Sequence, residues 1–187
     1  GEWDRKKFKR SELAGKTLGV FGFGEIGRRT AEKAKALGMR VLSFDPHVPA
    51  EAPAALGVTA ASREDVLRCS DFVSLHVPLT PATRRLIGAG AFALMKRTAV
   101  LINTSRGAVV DEQALYEALV AERLAGAYLD VLEAEPPPPN HPLCRLPNCW
   151  ITPHIAGLTE EAQERTAEIV SRAVLEELAG NRSPYRV

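Results

Sequence analysis

Short apolar runs alternate with stretches of helical periodicity along nearly the whole chain. Residues 17–23 (TLGVFGF), 40–45 (RVLSFD), 71–77 (DFVSLHV), 99–105 (AVLINTS), 125–131 (AGAYLDV) and 149–154 (CWITPH) have strand length and are almost continuously apolar. Runs of this kind fit strands covered on both faces, as in a parallel sheet. Between them, residues 25–37 space Ile26, Thr30, Ala34 and Leu37 as one helical face. Residues 62–68 start at Ser62, a good cap, with Glu64 and Asp65 in the first turn, where the helix dipole favours anions. Residues 111–122 start at Asp111 and align Leu115 with Leu119. The longest helix covers 159–179, with Thr159 as cap, Glu160 and Glu161 behind it, and Gly180 as the stop.

Strand, helix, strand repeated in this way predicts a doubly wound α/β fold of Rossmann type, with right-handed crossovers. Four consecutive prolines in EPPPPN (residues 135–140) make that segment a stiff surface loop, because they support neither helix nor central strand. The expectation is one dinucleotide-binding domain over residues 1–187. It has a crossover segment at 1–12, sheet and helices at 13–158, and a C-terminal helix and tail at 159–187.

Composition narrows the partners. With 187 residues, 45% of them hydrophobic, the chain can bury a sizeable core without staples. A formal charge of +1 draws it to neither nucleic acid nor an anionic membrane, so the basic opening RKKFKR reads as a solvated face. Three cysteines without a CxxC pair argue against a disulfide framework. The charged start is no signal peptide and no apolar stretch is long enough to span a bilayer, so a cytoplasmic location is expected. His141, Cys144, Cys149 and His154 have metal-ligand chemistry at close spacing. Pro142 and Pro147 stiffen that segment and Cys149 begins a strand, so no metal is expected.

The stretch GFGEIG carries the first candidate chemistry. Gly22 permits a tight turn, Gly24 lets the backbone approach a pyrophosphate, and Gly27 lets the following helix pack closely. Glu25 and Ile26 open that helix, whose free N–H groups and positive dipole end suit phosphates, provided that the Glu25 side chain points to solvent. Asp45 closes the next strand about 20 positions after Gly24, the place for a carboxylate that holds the adenosine ribose. A carboxylate there repels a 2′-phosphate, and its neighbour is Pro46 rather than Arg, so the cofactor reads as NAD.

The second candidate set ends strands at the carboxyl edge of the expected sheet: Arg106 in INTSRG, Asp130 and Glu135 in YLDVLEAEP, His154 in ITPHIAG. Arg offers a planar fork to a substrate carboxylate. His exchanges a proton with the oxygen on the carbon that exchanges hydride. A Glu bonded to that His orients its ring and favours the imidazolium.

Taken together, GKTLGVFGFGEIG, HVPLTPATRRLI, LINTSRGAVVDEQAL, LDVLEAEPP and TPHIAGLT resemble the cofactor domain of the D-isomer specific 2-hydroxyacid dehydrogenases, from about Leu13 to Thr159. The resemblance implies catalytic roles for Arg106, Glu135 and His154, and puts Asp130 near the nicotinamide carboxamide. It also implies that His76, Val77, Pro78 and Thr83 line the adenosine and pyrophosphate pocket, and that Thr104 and Ser105 approach the nicotinamide ribose. WDRKKF at residues 3–8 looks most like 3-phosphoglycerate dehydrogenases, whereas NTSRG is the commoner spelling in glyoxylate and hydroxypyruvate reductases.

By the same resemblance, substrate sits in a cleft against a second lobe built mostly from residues that precede such a cofactor domain. The expectation is an NAD(H)-binding domain with little or no turnover of its own, acting on a small 2-hydroxy or 2-keto acid and paired as a homodimer. Two alternatives share the pattern: an NAD(H)-sensing corepressor of the C-terminal binding protein type, and an NAD-binding fragment without activity.

Overall fold

The computed structural model describes residues 11–183; the basic opening and the WDRKKF motif lie outside the described residues. The chain divides into two compact units between Pro153 and His154.

All the strands among the described residues belong to the first unit. In chain order its elements are β1 (Thr17–Phe21), α1 (Glu25–Ala36), β2 (Arg40–Phe44), α2 (Glu51–Ala55), β3 (Thr59–Ala60), α3 (Arg63–Cys69) and β4 (Phe72–Leu75). There follow α4 (Ala89–Leu94), β5 (Val100–Asn103), α5 (Glu112–Val120), β6 (Gly126–Leu129) and β7 (Cys149–Ile151). The strands are parallel and ordered β3-β2-β1-β4-β5-β6-β7. From β1 the chain winds outward through β2 and β3, then returns to place β4 on the other side of β1. The crevice at the carboxyl ends of β1 and β4 is therefore the switch point at which such sheets bind ligands.

Each predicted apolar run overshoots its ladder at the carboxyl end. Gly22, Asp45, His76, Thr104, Asp130 and Thr152 all leave their strands and enter loops on this one edge. In five of the six the run continues because the loop is still partly buried, whereas residues 152–154 are exposed. Hydrogen bonding stops earlier because the loops turn to form the site. β3 escaped the pattern, since two exposed residues produce no periodicity.

Cores fill both faces of the sheet. On one face Leu18, Val20, Ala31, Ala34 and Val41 pack together; on the other Phe21, Leu75, Leu101, Leu115 and Leu119 do so. The α1 face read from the sequence needs correcting. Gly27, Ala31 and Ala34 face inward, while Ile26 and Leu37 are 68% and 58% exposed. The cause is close packing: a Cβ at Gly27 would lie 2.0 Å from the Gly22 carbonyl oxygen. A helix held this near the sheet can turn only its smallest side chains inward. The other caps form as expected, Ser62 accepting from the Asp65 amide at 3.1 Å and Asp111 from the Ala114 amide at 3.1 Å.

Asp71, just before β4, joins three segments. Its Oδ2 accepts from the Thr17 amide at 2.9 Å and its Oδ1 from Lys96 Nζ at 2.8 Å. Burial alone would raise its pKa, but the Lys96 bond, the Thr17 amide and the charges of Lys96 and Lys16 outweigh burial and lower it. A depressed carboxyl contributes stability that is fully present above the unfolded value and is lost as pH falls through the folded one. Asp71→Asn is therefore expected to flatten the acid limb of a urea-midpoint profile below about pH 4. An unchanged limb would remove Asp71 from that role.

The second unit contains α6 (Glu160–Leu178), capped by Thr159, whose hydroxyl accepts from the Ala162 amide at 3.1 Å. Gly180 follows at φ 81°, where a left-handed residue ends the helix as expected. No helix among the described residues is long and apolar enough to cross a membrane.

Candidate functional site

The glycine turn leaves β1 at the switch point. Gly22 has φ 88°, and a Cβ there would sit 2.5 Å from the His76 carbonyl oxygen, so neither its backbone nor its surroundings admit a side chain. Its amide donates to the Phe44 carbonyl at 2.9 Å, tying the turn to the end of β2. Gly24 is the N-cap of α1, and no side chain caps it. A Cβ at Gly24 would meet nothing within 4 Å, so the space beside this residue is open. The Glu25 side chain is exposed and lies 3.8 and 3.4 Å from Arg28 and Arg29, which meets the expectation that it points to solvent.

Asp45 is already oriented. Its Oδ2 accepts from the Phe23 amide at 2.8 Å and its Oδ1 from the His47 amide at 2.9 Å. Each oxygen keeps a further lone pair. A cleft of about 350 Å³ lies beside it, lined by Phe23, Phe44, Val48, Pro53 and Ala61. A largely apolar slot with a fixed carboxylate in its lining has the chemistry that a nucleoside's base and ribose hydroxyls call for.

His76 closes the turn from the β4 side, its amide donating to the Phe21 carbonyl at 2.7 Å. Its ring Nε2 lies 2.9 Å from Ser74 Oγ, and burial pushes its pKa down to about 4. His76 is thus neutral at physiological pH and supplies no charge to a phosphate. Beyond Val77 and Pro78, Thr83 Oγ1 donates to the Pro78 carbonyl at 2.6 Å and accepts from the Thr80 amide at 2.8 Å, so its hydroxyl braces that loop.

The catalytic candidates leave the adjacent strands. Asn103, 1% exposed at the end of β5, accepts from the Ser105 amide and hydroxyl at 3.0 and 2.8 Å and donates to the Arg106 carbonyl at 3.0 Å. These bonds hold Thr104 out to solvent, turn Ser105 inward and present Arg106 on the surface. Arg106 Nη1 donates to the Ser105 carbonyl at 2.6 Å. The Asp130 amide donates to the Asn103 carbonyl at 2.9 Å, and its carboxylate accepts from Thr152 Oγ1 at 2.5 Å, which links the ends of β5, β6 and β7. Glu135 accepts from the Leu132 amide at 3.0 Å. Gly107 lies directly against the Leu132–Glu133 peptide, so that a Cβ on it would fall 1.9 Å from the Leu132 carbonyl carbon.

Arg106, Asp130 and Glu135 thus share one edge of the first unit. His154 is the first residue of the second unit, with a left-handed φ of 55°, a region in which histidine is enriched among non-glycine residues. Asn103, Gly107 and Thr152 were missed in the sequence. The available signal was a polar residue terminating the otherwise apolar run VLIN, since a buried polar side chain must have partners.

The histidine and cysteine cluster does other work. His141 Nε2 lies 3.1 Å from Glu112 Oε2, and Cys144 is exposed. Cys149 is buried, and desolvation, helped by Cys144 and Glu112, pushes its thiol up to about 12. Among the described residues no group of three or more His, Cys, Asp or Glu side chains is placed to hold a metal ion.

Comparison with known proteins agrees with this geometry. The sequence profile of the D-isomer specific 2-hydroxyacid dehydrogenase NAD binding domain matches residues 1–156. The D-3-phosphoglycerate dehydrogenase of Methanocaldococcus jannaschii is 47% identical over 181 residues, which cover 96% of this chain and 34% of that protein. The glyoxylate reductase of Korarchaeum cryptofilum is 47% identical over 164 residues, covering 88% of this chain and 49% of that one. Among solved structures, a D-lactate dehydrogenase with NAD+ from Lactobacillus jensenii superposes with a TM-score of 0.87 at 33% identity, over 98% of this chain and 59% of that chain. The chain thus spans between a third and three-fifths of the length of these relatives. A tight glycine turn at the switch point, an oriented carboxylate at the end of β2 and a run of matched residues from the first strand to the last agree: this chain belongs to the D-isomer specific 2-hydroxyacid dehydrogenases, as their NAD-binding domain.

Proposed function

We propose that this chain serves a dehydrogenase that interconverts a D-2-hydroxy acid and its 2-keto acid. The observation that carries the reading is Arg106, Asp130 and Glu135 on the same carboxyl edge as the glycine turn. The residues of the turn would hold the pyrophosphate, and Asp45 the adenosine ribose. Bound there, the nicotinamide supplies or accepts the hydride.

The protein's own part is binding, orientation and proton transfer. Arg106 takes the substrate carboxylate in its planar fork and draws charge towards it. His154 holds the proton at the C2 oxygen, giving it up in reduction and receiving it in oxidation. Glu135 takes the role of the family's catalytic glutamate, as the resemblance implies. Asp130, fixed by Thr152, takes the carboxamide end of the nicotinamide.

The matched relatives include a phosphoglycerate enzyme and a glyoxylate enzyme at equal identity. WDRKKF tips the choice to 3-phosphoglycerate, with glyoxylate and hydroxypyruvate as the substrates to compare. A homodimer and a cytoplasmic setting complete the reading.

The test is calorimetric titration with NADH and with NADPH. NADPH is expected to bind at least about tenfold more weakly, because the Asp45 carboxylate faces its extra phosphate. Asp45→Asn should narrow that gap while retaining an acceptor for the Phe23 amide. Equal affinity of the unaltered protein for both cofactors would remove Asp45 as the discriminator.

A further inference from the structure

The geometry points to Glu112 and His141 as a positioning pair that holds the loop carrying Glu135. Neither residue touches the glycine turn or the nucleoside cleft, and both are largely buried, with side chains 17% and 11% exposed. Glu112 stands at the first turn of α5. Its Oε1 accepts from the Glu133 amide at 2.6 Å, while its Oε2 lies 3.1 Å from His141 Nε2. One carboxylate therefore grips both limbs of the segment between β6 and β7, on either side of Glu135.

The gripped peptide is the critical one. Glu133 contributes its amide to Glu112, the preceding Leu132 contributes its amide to Glu135, and Gly107, next to Arg106, packs against the bond between them. Glu112 thus sets the distance between the arginine loop and the glutamate loop. Its helix follows directly from the Arg106 turn through the Gly107–Val109 helical turn and the Asp111 cap. The polyproline segment alone would not do this, since prolines stiffen a loop without supplying amide donors to anchor it.

The tautomer follows from burial. His141 Nδ1 is buried without a partner, so a proton there would be an unpaired buried donor. The proton belongs on Nε2, which donates to Glu112. A side chain that donates from the same place should replace the histidine; an apolar one of similar size should not.

This inference rests on the catalytic reading of Glu135, and its test separates the two. Three variants, Glu112→Gln, His141→Leu and His141→Gln, are prepared with ¹⁵N labelling and with ¹³C-labelled glutamate carboxyls. In His141→Leu and Glu112→Gln, exchange of the Glu133 amide with solvent is expected to rise about tenfold or more. The Glu135 carboxyl titration should move upward as the Leu132 amide bond loosens, because a donor to the charged form is weakened. His141→Gln should restore both readings. NADH affinity should stay within about twofold throughout, because the turn and cleft lie on other strands. Native exchange and titration in His141→Leu would overturn the pairing. So would a His141→Gln variant indistinguishable from His141→Leu, which would make the site a matter of packing alone. Failure of the unaltered protein to bind NADH would sink the functional reading, yet the loop measurements would still decide the positioning role.

Discussion

Gly107→Ala is expected to lower stability by about 3 kcal/mol and to reduce any 2-keto acid reduction at least about a hundredfold. The added Cβ would lie 1.9 Å from the Leu132 carbonyl carbon, 2.1 Å from its oxygen and 2.4 Å from the Glu133 nitrogen. All three are backbone atoms, so no rotamer change relieves the clash. The loop must move, and with it the Leu132 amide that holds Glu135 and the Glu133 amide that holds Glu112. Displacement of a reacting group by about 1 Å is enough for a loss of that size. Denaturant unfolding and the rate of NADH oxidation by glyoxylate and hydroxypyruvate check it. Native stability together with a native rate would show that the two loops do not share this contact.

The second large effect separates folding from cofactor binding within one turn. Gly22→Ala is expected to lose both. It forces a side chain onto a residue at φ 88° and pushes it within 2.5 Å of the His76 carbonyl oxygen. Gly24→Ala is expected to keep native stability to within about 1 kcal/mol, since Gly24 has an extended backbone and its Cβ would meet no protein atom. NADH affinity should nonetheless fall about tenfold or more, because the proposed function brings the pyrophosphate to the backbone through the open space beside Gly24. Calorimetry beside thermal unfolding distinguishes the pair. Full NADH affinity in Gly24→Ala would mean that the phosphates bind elsewhere.

Much of the candidate site was visible in one dimension for a simple reason. Gly22, Gly24, Gly27 and Asp45 belong to a single strand–helix–strand unit, so their spacing is set by local geometry. Arg106, Asp130 and Glu135 follow consecutive parallel strands, and parallel pairing brings all carboxyl ends to one edge. What remained hidden depends on contacts distant in sequence. Glu112 looked like any acid in a helix's first turn until the fold laid residues 133 and 141 against it. Asn103 looked like the polar end of a strand, and its role in presenting Arg106 appears only in the loop it braces.

Taken alone, the sequence determined the parallel α/β architecture, the caps of α3, α5 and α6, the glycine turn after β1 and the acid that closes β2. Each follows from periodicity, turn chemistry or spacing within a few tens of residues. Tertiary structure decided which face of α1 points inward, because only the close approach of Gly27 to Gly22 shows that small residues must lie beneath it. It also decided that His76 is neutral and that the Glu135 loop hangs from α5. Burial and long-range hydrogen bonds set these features, and neither is a property of a residue and its chain neighbours.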